Sequence, residues 1–168
     1  MMQELEAILS SAVTVLSDKT RTRSARYERT CHLLARVSDL LVSTWPKDEH
    51  ADLEEKEFLF ECLMHRFDAL TPHKEHVHTL YAMMACHPDV AFAQMLQMRQ
   101  SFARTLSTHT FCPMPMCMSY ALTWVYSQAF PTWLGDDTPD LAPTMARIDG
   151  NLTSVLSLQR TLAEKLRI

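Results

Sequence analysis

PDLAPTMARIDGNLTSVLSLQRTLAEKL, residues 139–166, is the stretch that decides the fold. Leu141, Met145, Ile148, Leu152, Val155, Gln159, Leu162 and Leu166 step four and three in alternation, a heptad-like seam on one side of a helix. The preceding LGDDTPD supplies a helix start: Thr138 to cap, Pro139 for the first turn and Asp140 for the positive end of the dipole. Gly150-Asn151 interrupts the seam, and a glycine inside a helix costs about 1 kcal/mol, enough to split it. Gly135 and Gly150 are the only two glycines in 168 residues. Sheets need tight turns, and tight turns consume glycine. The chain therefore reads as all-α, long helices joined by short links containing Pro, Asp and Ser.

Toward the N-terminus the helical spacing repeats. Residues 114–130 put Met118, Ala121, Leu122, Val125 and Ala129 on one face, and Pro131 ends or kinks that helix. Residues 89–108 carry Phe92, Met95, Leu96, Arg99, Phe102 and Leu106, after a break at His87-Pro88-Asp89. Thr71-Pro72 opens a helix over 72–86, with proline at its first position. Residues 52–70 turn Leu59, Leu63, Phe67 and Leu70 inward, behind the acidic turn KDEHADLEEKE. Residues 24–45 carry Tyr27, Cys31, Leu34, Leu41 and Trp45, and Pro46 stops them. Residues 3–17 align Leu5, Ile8, Leu9, Ala12, Val15 and Leu16. No repeat or interdomain linker appears. The expectation is one domain over 1–168, a bundle of six to seven helices.

Composition narrows the function classes. A hydrophobic content of 47% supports a core, and a net charge of −4 gives no global basic field for nucleic acid. No run of about 18 apolar residues is present to span a membrane. Glu4 and Glu6 near the start argue against a secretory signal. Five cysteines, an odd number lying mostly in helical patterns, read as reduced thiols and a cytoplasmic location.

Two stretches carry a resemblance: LFECLMHRFDALTPHKEHV, residues 59–77, and WLGDDTPDLAPTMARID, residues 133–149. Through them the region from about 36 to 158 resembles the C-terminal part of TetR-like regulators, in the subgroup related to the ubiquinone-biosynthesis lipid-binding protein. The resemblance implies a helical bundle holding an apolar ligand cavity and a two-fold dimer made by the last two helices. It also implies a helix-turn-helix ahead of this region. Residues 1–35 hold no glycine and no evident turn between two short helices, so the DNA-reading part reads as divergent or truncated.

Candidate sites follow. Met83, Met84, Phe92, Met95, Met98, Phe102, Met116, Met118 and Trp124 lie on four segments that a bundle would bring together, and unbranched thioethers repack around varied apolar guests. Plain core packing is the other reading of this set. Leu122, Val125, Leu141, Met145, Ile148, Leu152, Val155 and Leu162 are the expected dimer interface, closing a four-helix arrangement with a second copy. Arg21, Arg23 and Arg26, within a basic link from Lys19 to Arg29, could contact nucleic-acid phosphates or simply form a solvated face.

Three further clusters read mainly as structure. Cys112-Pro113-Met114-Pro115-Met116-Cys117-Met118 holds soft donors of the kind that favour Cu(I), but suits a proline-led helix start. His73 and His76 share a face at i, i+3, with no third ligand at fixed spacing, and read as a solvated helix start. Arg66-Phe67-Asp68 and Arg99 offer buried-charge possibilities; Arg99 falls within the apolar stripe and needs a partner, with Glu61, Asp68 and Asp149 as candidates. There is no Gly-rich phosphate loop, G-x-S-x-G elbow, H-E-x-x-H or paired C-x-x-C. The expected function is a non-catalytic, ligand-sensing and dimerising domain of the TetR-like kind, with no cofactor and no metal. The alternative is a lipid- or isoprenoid-binding accessory protein of ubiquinone biosynthesis.

Overall fold

A computed structural model of the chain describes residues 1–46, 53–107 and 115–166, the side chains of Pro115 and Leu166 excepted. Among the described residues it holds seven α-helices and no strand. They are α1 (Met2–Ser17), α2 (Arg23–Ser43), α3 (Glu55–Leu70), α4 (Lys74–Met84), α5 (Pro88–Leu106), α6 (Pro115–Leu134) and α7 (Ala142–Leu166). A 3-10 turn, Thr71–His73, links α3 to α4. No helix is long and apolar enough to cross a membrane among the described residues.

The helices form a chain of neighbours: α4 on α1, α1 on α2, α2 on α5, α5 on α6 and α6 on α7. α3 runs through the middle, touching α2, α6 and α7. Its sequence explains that position. Phe58, Leu59, Cys62, Leu63, Met64, Arg66, Phe67 and Leu70 are all buried. The buried face is broad, while Glu57 and Asp68 stay exposed on the remaining side. α1 buries the six residues on its predicted stripe, Leu5 to Leu16, so the N-terminal segment is part of the same core.

The two stretches quoted for the TetR-like resemblance pack on each other. Phe67 lies 5.4 Å from Trp133, and the Trp133 indole N–H donates to Thr71 Oγ1 at 3.2 Å. Lys74 Nζ donates to the Asp136 carbonyl, and just ahead of the first stretch Lys56 pairs with Asp149 at 2.6 Å. Phe67 also stacks on Tyr126, centroid to centroid 4.6 Å, making an aromatic cluster with Phe130 and Trp133.

Three expectations about the last helices change. α6 runs through Pro131 to Leu134, since the ring removes one hydrogen bond but core contacts on both sides hold the helix. α7 begins at Ala142, three residues after Pro139, and Leu141 ahead of it takes a left-handed φ of 51°. The cap is Asp136, not Thr138. Thr138 N–H and Oγ1–H donate to Asp136 Oδ1 at 3.1 and 2.6 Å, while Thr144 N–H and Oγ1–H donate to Oδ2 at 3.0 and 2.6 Å. One carboxylate thereby ties the connecting loop to the first turn of α7.

α7 is also unbroken at Gly150. A Cβ built there meets nothing within 4 Å, and its φ is not positive. Gly150→Ala is therefore expected to raise stability by about 0.5–1 kcal/mol, because alanine loses less conformational freedom in a helix. A thermal melt checks the sign; a lower midpoint would contradict an open, regular helix at this position.

Candidate functional site

A cavity of about 490 Å³ opens between α1, α2, α3, α4, α5 and α6. Its size falls in the range of small-molecule sites. Leu34, Val37 and Leu41 of α2 form one wall, each facing the core at three–four spacing. Val77, Leu80, Tyr81 and Met84 of α4 form another, with Leu9 of α1 behind them. Ala91, Gln94, Met95 and Met98 line the α5 side, and Tyr126, Ser127 and Phe130 the α6 side. Small side chains at Ala82, Ala85 and Ala91 leave the space that larger residues would fill.

The polar groups concentrate on the side of α3. Arg66 lines the cavity and is only 5% exposed. Its Nη2–H donates to Ser101 Oγ, and Ser101 Oγ–H donates to the Ser38 carbonyl at 3.4 Å. The guanidinium carbon sits 4.3 Å from the centre of the Phe102 ring. Burial lowers the guanidinium to about 10, so it stays charged at neutral pH. Burial pushes the Tyr126 phenol up, with Arg66 acting against that, and likewise raises the Cys62 thiol one helical turn before Arg66. Both groups are neutral and protonated at pH 7. Gln94 adds a buried side-chain amide oxygen with no hydrogen-bond partner among the described residues.

Of the residues expected to bind ligand, the cavity brings together Met84, Met95 and Met98. Met83 is half-buried against the core. Phe102 and Met118 are core residues, and Phe92, Met116 and Trp124 point to solvent, with Trp124 49% exposed. Of the α5 stripe, Phe102 and Leu106 are buried as spaced, while Phe92, Met95 and Leu96 are exposed and Ser101 and Thr105 turn inward. The two inward hydroxyls are tolerated because Ser101 Oγ–H donates to the Ser38 carbonyl and Thr105 Oγ1–H to the Ser101 carbonyl. Gln97 Nε2–H likewise donates to the Cys31 carbonyl at 3.0 Å. Arg66, Tyr126, Leu34 and Val37 were absent from the expected ligand set. A buried arginine among apolar residues was the available signal, but it pointed to an ion pair.

The expected interface residues also divide. Leu122, Val125, Leu141, Ile148 and Leu152 are buried inside the chain's own bundle, where α6 and α7 meet each other and α3. The buried register of α7 advances by fours, Thr144, Ile148, Leu152 and Leu156, instead of following the heptad. Val155 is half-buried, and Met145 and Leu162 are exposed. Leu158 of α7 and Tyr120 of α6 are exposed as well.

The arginines of the basic link are partly committed. Arg21 pairs with Asp18 at 2.8 Å and Arg23 with Asp89 at 3.1 Å, while Arg26 is half-buried with its Nε unpartnered among the described residues. Arg99 lies over the Tyr120 ring at 4.9 Å, with no carboxylate pairing among the described residues. Of its candidate partners, Asp149 is taken by Lys56. His73 is buried, not solvated, because the 3-10 turn folds it under α4. Cys112–Met114 lie outside the described residues; Met116 and Cys117 beyond them are exposed and Met118 is buried. No family of proteins, no characterised protein and no solved structure matches this chain.

Proposed function

We propose that the protein is a non-catalytic binder of an apolar small molecule, acting as a ligand-sensing and dimerising domain of the TetR-like kind. One observation carries the reading: a cavity of about 490 Å³ with walls supplied by six helices, so a guest would touch most of the bundle at once. Occupancy of such a space changes how α4 and α5 sit against α1, α2 and α6. A ligand that prefers one arrangement shifts the population toward it. Dimerisation would use the apolar side chains left outward on the last two helices, Tyr120 and Trp124 on α6 and Leu158 and Leu162 on α7. Large exposed apolar groups on neighbouring helices are what a partner surface supplies.

The test uses N-phenyl-1-naphthylamine, a neutral apolar dye that brightens when it leaves water. The expected result is saturable brightening with the native protein and its loss in Met98→Trp, which fills the cavity, at unchanged circular dichroism. Equal brightening in both would sink the cavity as the binding site. Sedimentation velocity on the same samples should give a dimer at micromolar concentration that Trp124→Glu dissociates; a monomer before substitution would remove the dimerising part. An isoprenoid in the solvent extract of the purified protein would favour the accessory lipid-binding role over sensing.

A further inference from the structure

We infer that the cavity takes an apolar chain ending in a carboxylate, with Arg66 as the group that recognises the head; this rests on the cavity being the binding site proposed above. Arg66 is 95% buried by the complement of its 5% exposure, and it lines the cavity. Its hydrogen bond to Ser101 Oγ is the only one its side chain makes among the described residues. No carboxylate pairs with it among those residues. The groups against it are neutral: a hydroxyl, the Phe102 ring face, the Cys62 thiol and the Tyr126 phenol. Arg104 adds positive potential and is itself paired with Asp39 at 2.7 Å.

A buried cation without a counter-charge is costly, and proteins pair such groups or use them. The guanidinium is a planar fork of five N–H donors, suited to two parallel hydrogen bonds from one carboxylate. Ser101 occupies one of those donors, leaving Nε and Nη1 without protein partners among the described residues. The rest of the wall suits a hydrocarbon chain: Leu34, Leu41, Leu80, Met95, Met98 and Phe130 carry no charge. Tyr126 and Gln94 also line the cavity and offer further hydrogen-bonding groups. The arrangement is an apolar slot with one positive end, which selects an amphiphile with a single anionic head over a neutral one of the same length.

Isothermal titration with lauric acid and with dodecanol separates these cases, since the two share a chain and differ in the head. The native protein should bind lauric acid at least about tenfold more tightly than dodecanol, the worth of a charge-assisted hydrogen bond. Arg66→Met, close in volume and uncharged, should lose that preference and keep dodecanol binding. Arg66→Lys keeps the charge without the fork and should retain part of the preference. Equal affinities for the two probes in the native protein, or an unchanged preference in Arg66→Met, would overturn the carboxylate assignment and leave the cavity reading intact. Absence of binding by both probes, with N-phenyl-1-naphthylamine also dark, would remove the cavity reading itself. If Arg66→Met fails to fold, Tyr126→Phe and Ser101→Ala, which alter the surroundings of the same guanidinium, should change lauric acid affinity more than dodecanol affinity; equal changes would count against the assignment.

Discussion

Trp133→Ala is expected to lower the unfolding free energy by about 3–5 kcal/mol, the range for removing a large aromatic side chain from a packed core. Trp133 has no exposed surface, and its ring touches Phe67 and Phe130, each centred 5.4 Å away. Its indole N–H holds Thr71 at the start of the 3-10 turn, and Lys74 Nζ lies 5.7 Å from its ring centre. The substitution therefore opens a void where α3, the 3-10 turn and the end of α6 meet, and it removes the indole hydrogen bond to Thr71. Urea unfolding followed by circular dichroism measures the loss. Trp133→Phe keeps most of the ring volume and should cost clearly less, and the difference between the two reports the void. A loss below about 1 kcal/mol for the alanine variant would mean that this junction is not part of the cooperative core.

Asp136→Asn should cost about 2 kcal/mol at neutral pH, the upper end of what removal of a helix cap costs. Burial raises the Asp136 carboxyl, but the hydrogen bonds from Thr138 and Thr144 outweigh it and hold the group at about 2. The sign follows from that depression. The folded state favours the ionised form, so the contribution is fully present above the ordinary carboxylate value of 3.8 and is lost as pH falls through about 2. The native protein and Asp136→Asn should thus differ in urea midpoint at pH 7 and converge as the pH drops from about 4 toward 2. A gap that stays constant over that interval would show that the amide variant is damaged by something other than lost ionisation. The amide is a good probe because it matches the carboxylate in shape but brings two donors to a place already filled with donors.

The outcome for individual residues shows how far pattern reading reaches. The α1 stripe from Leu5 to Leu16 is buried as spaced, and Met118, Leu122, Val125 and Ala129 are buried on α6. On both helices the apolar residues at three–four spacing are the ones that face the bundle. On α7 the same spacing rule chose the heptad, but the burial follows fours. A heptad seam needs a partner helix supercoiled along its whole length, whereas α7 rests on α6 and α3 over its first half and runs outward beyond Leu156. On α5, Phe102 and Leu106 are buried as spaced, but Phe92, Met95 and Leu96 are exposed while Ser101 turns inward. An inward hydroxyl at Ser101 is tolerated because Arg66 and the Ser38 carbonyl lie across from it, and no local rule carries that information.

The amino-acid sequence by itself determined the helical class, the rough extent of most helices, and the buried stripes of α1 and α6. These follow from local terms: glycine scarcity, proline positions and side-chain spacing at 3.6 residues per turn. Only the tertiary structure decided that half of the expected interface closes on α3, that Asp136 reaches eight residues ahead to cap α7, and that Met84, Met95 and Met98 share a space with Arg66. The reason is that burial, capping at a distance and cavity formation depend on which helices become neighbours. That choice is made by the summed packing of the whole bundle, and no window of the chain contains it.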